Sequence, residues 1–194
     1  MRSRVTRFIH QKAREFRVTI PTSLTLMRIA CIPVIVFFIY FQHMSWALML
    51  FSFAAATDVL DGYLARRWGE QTFLGACLDP IADKLLVATL FLTLWFLSHP
   101  FLPGWFVVFV FAKEAIQIVG SLLVFLRQGT LFICPALLGK LSMFVQTCFI
   151  FVLLLGYLVP VAPVIFSGLL SVSTFLLGAS LVQYVALGVR QSSV

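Results

Sequence analysis

The stretch that decides the fold reads Asp58-Val59-Leu60-Asp61-Gly62-Tyr63-Leu64-Ala65-Arg66 and continues through Gly75 to Asp79-Pro80-Ile81-Ala82-Asp83. It holds every aspartate of the chain, four carboxylates within 26 residues, with apolar sequence on both sides. A carboxylate deep in a bilayer costs on the order of 2.5 to 3.5 kcal/mol on the translocon scale, so four of them demand a compensating partner and a functional reason. Asp58 and Asp61 are three apart and Asp79 and Asp83 four apart, spacings that put each pair on one face of a helix. Two adjacent helices can then point four carboxylates at one another.

The composition around that stretch sets the class. Hydrophobic residues make up 61% of the 194-residue chain and charged residues 11%, and the mean hydropathy is +1.05. A soluble domain carries about 25% charged residues, so this composition excludes one and implies an all-α polytopic membrane protein. A hydrocarbon core about 30 Å thick needs roughly 20 residues per helix, which gives six spans at about 22 to 41, 45 to 66, 73 to 97, 104 to 127, 135 to 158 and 163 to 188. The breaks are polar or turn-rich: Gln42-His43-Met44, Arg66 to Glu70, Ser98-His99-Pro100, Arg127-Gln128-Gly129 and Pro160 to Pro163. Two segments are expected, a basic juxtamembrane helix over 1–19 and a six-helix membrane domain over 20–190.

Charge orients the spans. With the N-terminus in the cytoplasm, Arg2, Arg4, Arg7, Lys12, Arg14, Arg17, Arg66, Arg67, Arg127 and Arg190 all fall in cytoplasmic segments or at cytoplasmic helix ends. The opposite loops then carry no Lys or Arg, as the positive-inside rule requires, and both termini and the aspartates lie on the cytoplasmic side. A bacterial inner membrane is the expected home. The first apolar stretch exceeds a signal-peptide core and lacks a clear small-residue cleavage site, which reads as a retained span. Before it, Val5, Phe8, Ile9, Ala13 and Phe16 recur at helical spacing among basic residues. That pattern suits a helix lying on anionic lipid, and equally a basic topogenic tail.

Cys31, Cys77, Cys134 and Cys148 lack metal-type or redox-type spacing and read as inert packing residues. His10, His43 and His99 stand singly near expected membrane borders, where snorkelling or loop roles outweigh catalysis.

Four carboxylates held close cannot all stay ionised without counter-charge, so some are protonated or cations bind between them. Carboxylate oxygens are hard ligands that suit Mg²⁺ or Mn²⁺, and the lack of clustered His or Cys argues against zinc. Two divalent ions would offset the charge and could clamp a diphosphate. Gly62 and Gly75 allow a nucleotide close to the backbone, Ala65 keeps the face narrow and Arg66 can reach a phosphate bidentately. Small residues also help membrane helices pack, but four aspartates with Arg66 on the same faces favour the site.

The run Asp58-x2-Asp61-Gly62-x2-Ala65-Arg66-x8-Gly75-x3-Asp79-x3-Asp83 resembles the complete signature of the CDP-alcohol phosphotransferase family, and the likeness extends from Ile20-Pro21-Thr22 over nearly the whole chain. The resemblance implies that Asp58, Asp61 and Asp79 are the main ligands of two metal ions, with Asp83 contributing to the metal or acting as base. It implies that Gly62, Ala65, Arg66 and Gly75, with Asp58, Asp61 and Asp79, hold the CDP portion. It also implies a homodimer acting on membrane lipid, with no nucleic-acid partner.

Within that family, Ile20-Pro21-Thr22-Ser23-Leu24-Thr25-Leu26-Met27-Arg28 and Asp61-Gly62-Tyr63-Leu64-Ala65-Arg66-Arg67-Trp68 are most similar to the bacterial phosphatidylglycerophosphate synthases. That implies CDP-diacylglycerol as donor and glycerol 3-phosphate as acceptor, with Arg28, Lys113 and Lys140 holding the acceptor phosphate. Two positions depart from the usual pattern. Lys113-Glu114 stands for Arg-Glu, and Gly139-Lys140-Leu141-Ser142 stands for Gly-Lys-x-Lys. The cardiolipin synthases of the family, which use phosphatidylglycerol, carry a polar residue where Ser142 stands and are the alternative. Because adjacent helix positions do not face each other, Lys113 is not expected to pair with Glu114. Buried acids also mark ion-coupled transporters, but the clustering near one surface and the lack of an inverted repeat speak against one.

Overall fold

A computed structural model describes the backbone of residues 20–68, 73–97, 99–128 and 137–192; the side chains of residues 20–22, 24, 58–80, 121–137 and 187–194 lie outside the described set. The basic helix expected over 1–19 also lies outside the described residues. Every regular element among those described is helical: α1 (Ile20–Tyr40), α2 (Met44–Trp68), α3 (Phe73–Phe96), α4 (Gly104–Gln128), α5 (Leu137–Leu155) and α6 (Pro163–Ser192). Their bounds follow the apolar runs and polar breaks of the sequence, and the largest departure is the end of α6, at Ser192 against about 188 from hydropathy. Two compact units divide between Thr89 and Leu90, within α3.

In the first unit, α1 and α2 pack through complementary stripes. Thr25, Arg28, Ile32, Ile35 and Ile39 are buried along α1 at alternating steps of three and four, and Met44, Ala47, Phe51 and Ala54 repeat the pattern on α2. The turn between them closes tightly. The His43 amide donates to the Phe38 carbonyl and the Gln42 amide to that of Ile39, with Gln42 in the left-handed region at φ 62°. This is the paired-bond helix ending usually made with glycine, which has no Cβ to crowd it.

The second unit is built on aromatic packing. The rings of Phe91, Phe106 and Phe149, from α3, α4 and α5, meet with centroids 5.3 to 5.9 Å apart. Leu94, Val110, Leu153 and Leu177 are buried in the same unit. The Tyr184 hydroxyl of α6 donates to the Gln117 carbonyl of α4 at 2.9 Å. A Cβ on Gly120 would lie 2.7 Å from that hydroxyl oxygen, so glycine there leaves room for the Tyr184 ring against α4.

The surface is apolar as well. Tyr40, Phe96, Val108, Phe144, Val164, Phe175 and Val182 are each about two-thirds exposed or more. Hydroxyls within the helices turn back to their own backbone: Ser52 to Leu48, Thr57 to Ala54, Thr147 to Met143 and Thr174 to Leu170. Apolar surroundings demand such internal satisfaction. Among the described residues, Leu138–Leu155 and Pro163–Ala186 are long and apolar enough to cross a membrane, while Thr25–Tyr40 and Met44–Thr57 are shorter apolar runs. These features are consistent with a membrane protein.

Candidate functional site

Asp58 and Asp61 lie in the C-terminal half of α2, and Asp79 and Asp83 in the N-terminal half of α3. Only residues 69–72 separate the two helices. At a rise of 1.5 Å per residue, both pairs sit roughly 9 to 15 Å along the axis from the linked helix ends. Each pair thus lies about two to three turns from the end of its own helix. Gly62, Ala65, Arg66 and Gly75 belong to the same ends of α2 and α3. Their side-chain positions, with those of Asp58, Asp61 and Asp79, lie outside the described set.

Asp83 is the described member of the four. Its Oδ1 accepts from Nη1 of Arg28 at 2.5 Å, joining α3 to α1 across 55 residues of sequence. The Arg28 side chain is 1% exposed and that of Asp83 24%, so the arginine is the more deeply buried partner. Arg28 was expected at an acceptor phosphate and Asp83 at the metal and the acceptor proton. The structure brings these two expected residues together.

The second unit holds the other expected cations. Lys113 Nζ donates to Glu114 Oε1 at 2.7 Å, with side chains 2% and 13% exposed. This corrects the expectation that adjacent positions would not pair. The rule concerns Cβ directions, whereas a four-carbon lysine stem curls to the nearest carboxylate when its ammonium is buried. Lys140 is exposed on α5, and a Cβ on neighbouring Gly139 would meet nothing within 4 Å. Ser142 is fully buried, and its hydroxyl accepts from Gln146 Nε2 at 3.0 Å, one helical turn on. Sequence reading did not single out Gln146; its four-residue step from Ser142 was the available signal.

His99 has a structural place. Its Nε2 donates to the Leu153 carbonyl and its Nδ1 accepts from the Phe101 amide, both at 3.3 Å, while Tyr157 and Phe166 flank the ring. Burial lowers its pKa, and the Leu153 bond opposes that shift to a smaller extent. A neutral imidazole therefore ties the α3–α4 connection to the end of α5. Cys31 and Cys148 are free and partly buried, in keeping with packing roles.

The model of the CDP-alcohol phosphatidyltransferase family matches residues 18–185, a span that includes all six helices apart from the last residues of α6. The chain belongs to this family. A Yersinia enterocolitica relative named CDP-diacylglycerol--glycerol-3-phosphate 3-phosphatidyltransferase is 51% identical over 76 residues, covering 37% of this chain and 41% of the relative. Proteins of the same name from Pectobacterium atrosepticum and Pseudomonas fluorescens are 53% and 49% identical over 73 residues, covering 36% of this chain and 40% and 37% of theirs. The chain thus matches these curated relatives over about two fifths of their length.

The donor set of this family member fits a hard divalent cation. The sequences of α2 and α3 supply four carboxylates, hard oxygen donors, and the Asp83 side chain is 24% exposed. Among the described residues no three His, Cys, Asp or Glu side chains converge, since three of the four aspartate side chains lie outside that set.

Proposed function

We propose that this protein transfers the phosphatidyl group of CDP-diacylglycerol to sn-glycerol 3-phosphate, yielding phosphatidylglycerophosphate and CMP. The observation that carries the reading is the complete aspartate signature, borne on consecutive helices of a chain belonging to this family. The name of the partial relatives supports the acceptor.

Asp58, Asp61 and Asp79, with Asp83, would hold two Mg²⁺ or Mn²⁺ ions. When bound, these would stabilise charge on the diphosphate. Gly62, Ala65 and Arg66 with Gly75 would receive the CDP portion. The acceptor hydroxyl oxygen forms the new bond to the β-phosphorus, Asp83 takes the hydroxyl proton, and the bond to the CMP phosphate breaks. Lys140, exposed on α5, is proposed for the acceptor phosphate, whereas Lys113 is buried against Glu114. The setting is six spans of a bacterial cytoplasmic membrane, with both termini and the site facing the cytoplasm, in a homodimer. Exposed Tyr40, Phe41, Trp46, Trp95, Phe96 and Trp105 at the opposite helix ends support that topology, because aromatic residues favour membrane borders.

A second reading takes phosphatidylglycerol as acceptor. The buried, uncharged Ser142–Gln146 pair favours it, standing where the family pattern places another cation.

The test is CMP release by purified protein from CDP-diacylglycerol with Mg²⁺ or Mn²⁺, with glycerol 3-phosphate and phosphatidylglycerol supplied in parallel. Release with the first alone is expected, and silence with both would remove both acceptor readings. Lys140→Ala should raise the acceptor KM about tenfold with the CDP-lipid KM nearly unchanged.

A further inference from the structure

The buried pair joins two residues expected to perform separate tasks. We propose that Arg28 is a positioning residue for Asp83: its guanidinium holds the carboxylate in the orientation in which it meets the acceptor hydroxyl, and it does not bind the acceptor phosphate. This rests on the transferase reading above.

Three features carry it. The Arg28 donor reaches Asp83 directly, from α1 to α3. Arg28 also occupies a core place in the stripe Thr25, Arg28, Ile32, Ile35 and Ile39, and a guanidinium 1% exposed offers a soluble phosphate no approach. Finally, stability does not account for it. A buried ion pair generally stabilises a fold no better than apolar side chains of the same volume, so an apolar residue would serve the α1 stripe as well. What an arginine adds is a planar fork, immobilised by core packing, that fixes the direction of a carboxylate. The Asp83 side chain stays 24% exposed while so held.

The experiment uses the full chain in detergent micelles with Mg²⁺, as wild type, Arg28→Gln, Arg28→Lys, Asp83→Asn and the Arg28→Gln/Asp83→Asn double variant. Arg28→Gln should lower kcat about a hundredfold, the scale of a slight misplacement of a reacting group. Both KM values should stay within about threefold of wild type. Arg28→Lys should recover only part of the loss, and in the Asp83→Asn background Arg28→Gln should change kcat little further. An acceptor KM raised about tenfold or more with kcat kept would make Arg28 a phosphate ligand and overturn the proposal, as would kcat losses that multiply.

Thermal midpoints of the same proteins give a readout independent of turnover. The double variant should fall by less than the sum of the two single shifts, and additive shifts would show that the pair is not coupled. Wild type silent with every acceptor removes the transferase reading and the positioning role together. An active wild type with multiplying losses removes the positioning role alone.

Discussion

The two units satisfy buried charge in opposite ways. In the first, Arg28 and Asp83 meet from different helices, 55 residues apart. In the second, Lys113 is neutralised by the next residue and Gln146 bonds Ser142 one turn away. A long-range pair depends on tertiary structure and can direct a functional group. A local pair travels with its helix and needs no partner element. The difference marks where the fold uses a charge to position chemistry and where it merely neutralises one.

The sharpest way to break this contrast is the same amide substitution at each carboxylate. Asp83→Asn should lower kcat by about 10²- to 10⁴-fold, the usual contribution of a positioned base, while largely sparing CDP-lipid binding. Glu114→Gln should act mainly on stability, by about 3 kcal/mol, because it leaves the Lys113 ammonium buried opposite a neutral amide. Lys113→Met should destabilise less, since the carboxylate left unpaired is the more exposed partner and the methionine keeps the lysine's volume. Denaturation in micelles beside steady-state kinetics separates the effects. A Glu114→Gln protein as stable as wild type would mean that the local pair is energetically idle.

His99 tests whether backbone satisfaction alone can hold a titratable ring. Its folded-state pKa is lowered by burial, so the unfolded chain takes up the proton first as pH falls. The stability linked to this ring is therefore complete above about pH 6.5 and declines below it, towards the lowered folded value. Thermal midpoints across that range should fall on acidification in wild type and flatten in His99→Gln. The smallest effect is expected at the turn of the first unit, where Gln42→Gly removes a left-handed side chain and should stabilise by about 1 kcal/mol. No gain in unfolding midpoint would place the turn outside the energetics of the α1–α2 hairpin.

Much of this architecture is readable from residue order. Hydropathy and polar breaks locate six helices because each buries or exposes a continuous apolar run, and Gln42-His43 and Pro160 to Pro163 interrupt the runs locally. The helices that carry the aspartates were legible too, because the apolar runs around them bound α2 and α3. The partner of Asp83 was not readable, since nothing in the spacing links α1 to a residue 55 positions on. Lys113–Glu114 was misjudged for another reason: periodicity describes where Cβ atoms point, and a long stem in apolar surroundings overrides it. His99 was legible as a loop residue, but its burial depends on Tyr157 and Phe166, far along the chain.

The separation of Arg28 from Asp83 also bears on how the protein is made. A chain enters a membrane in order of synthesis, so on the proposed topology α1 delivers a guanidinium to the lipid before the carboxylate that answers it has been translated. Lys113 arrives with its counter-charge already beside it, and the Ser and Thr hydroxyls come bonded to their own helices. Lys113 therefore needs no partner helix to be neutralised. The first helix must hold its arginine near the headgroups, or keep company with the insertion machinery, until α3 emerges. Completion of the proposed proton acceptor and final seating of α1 are then a single event.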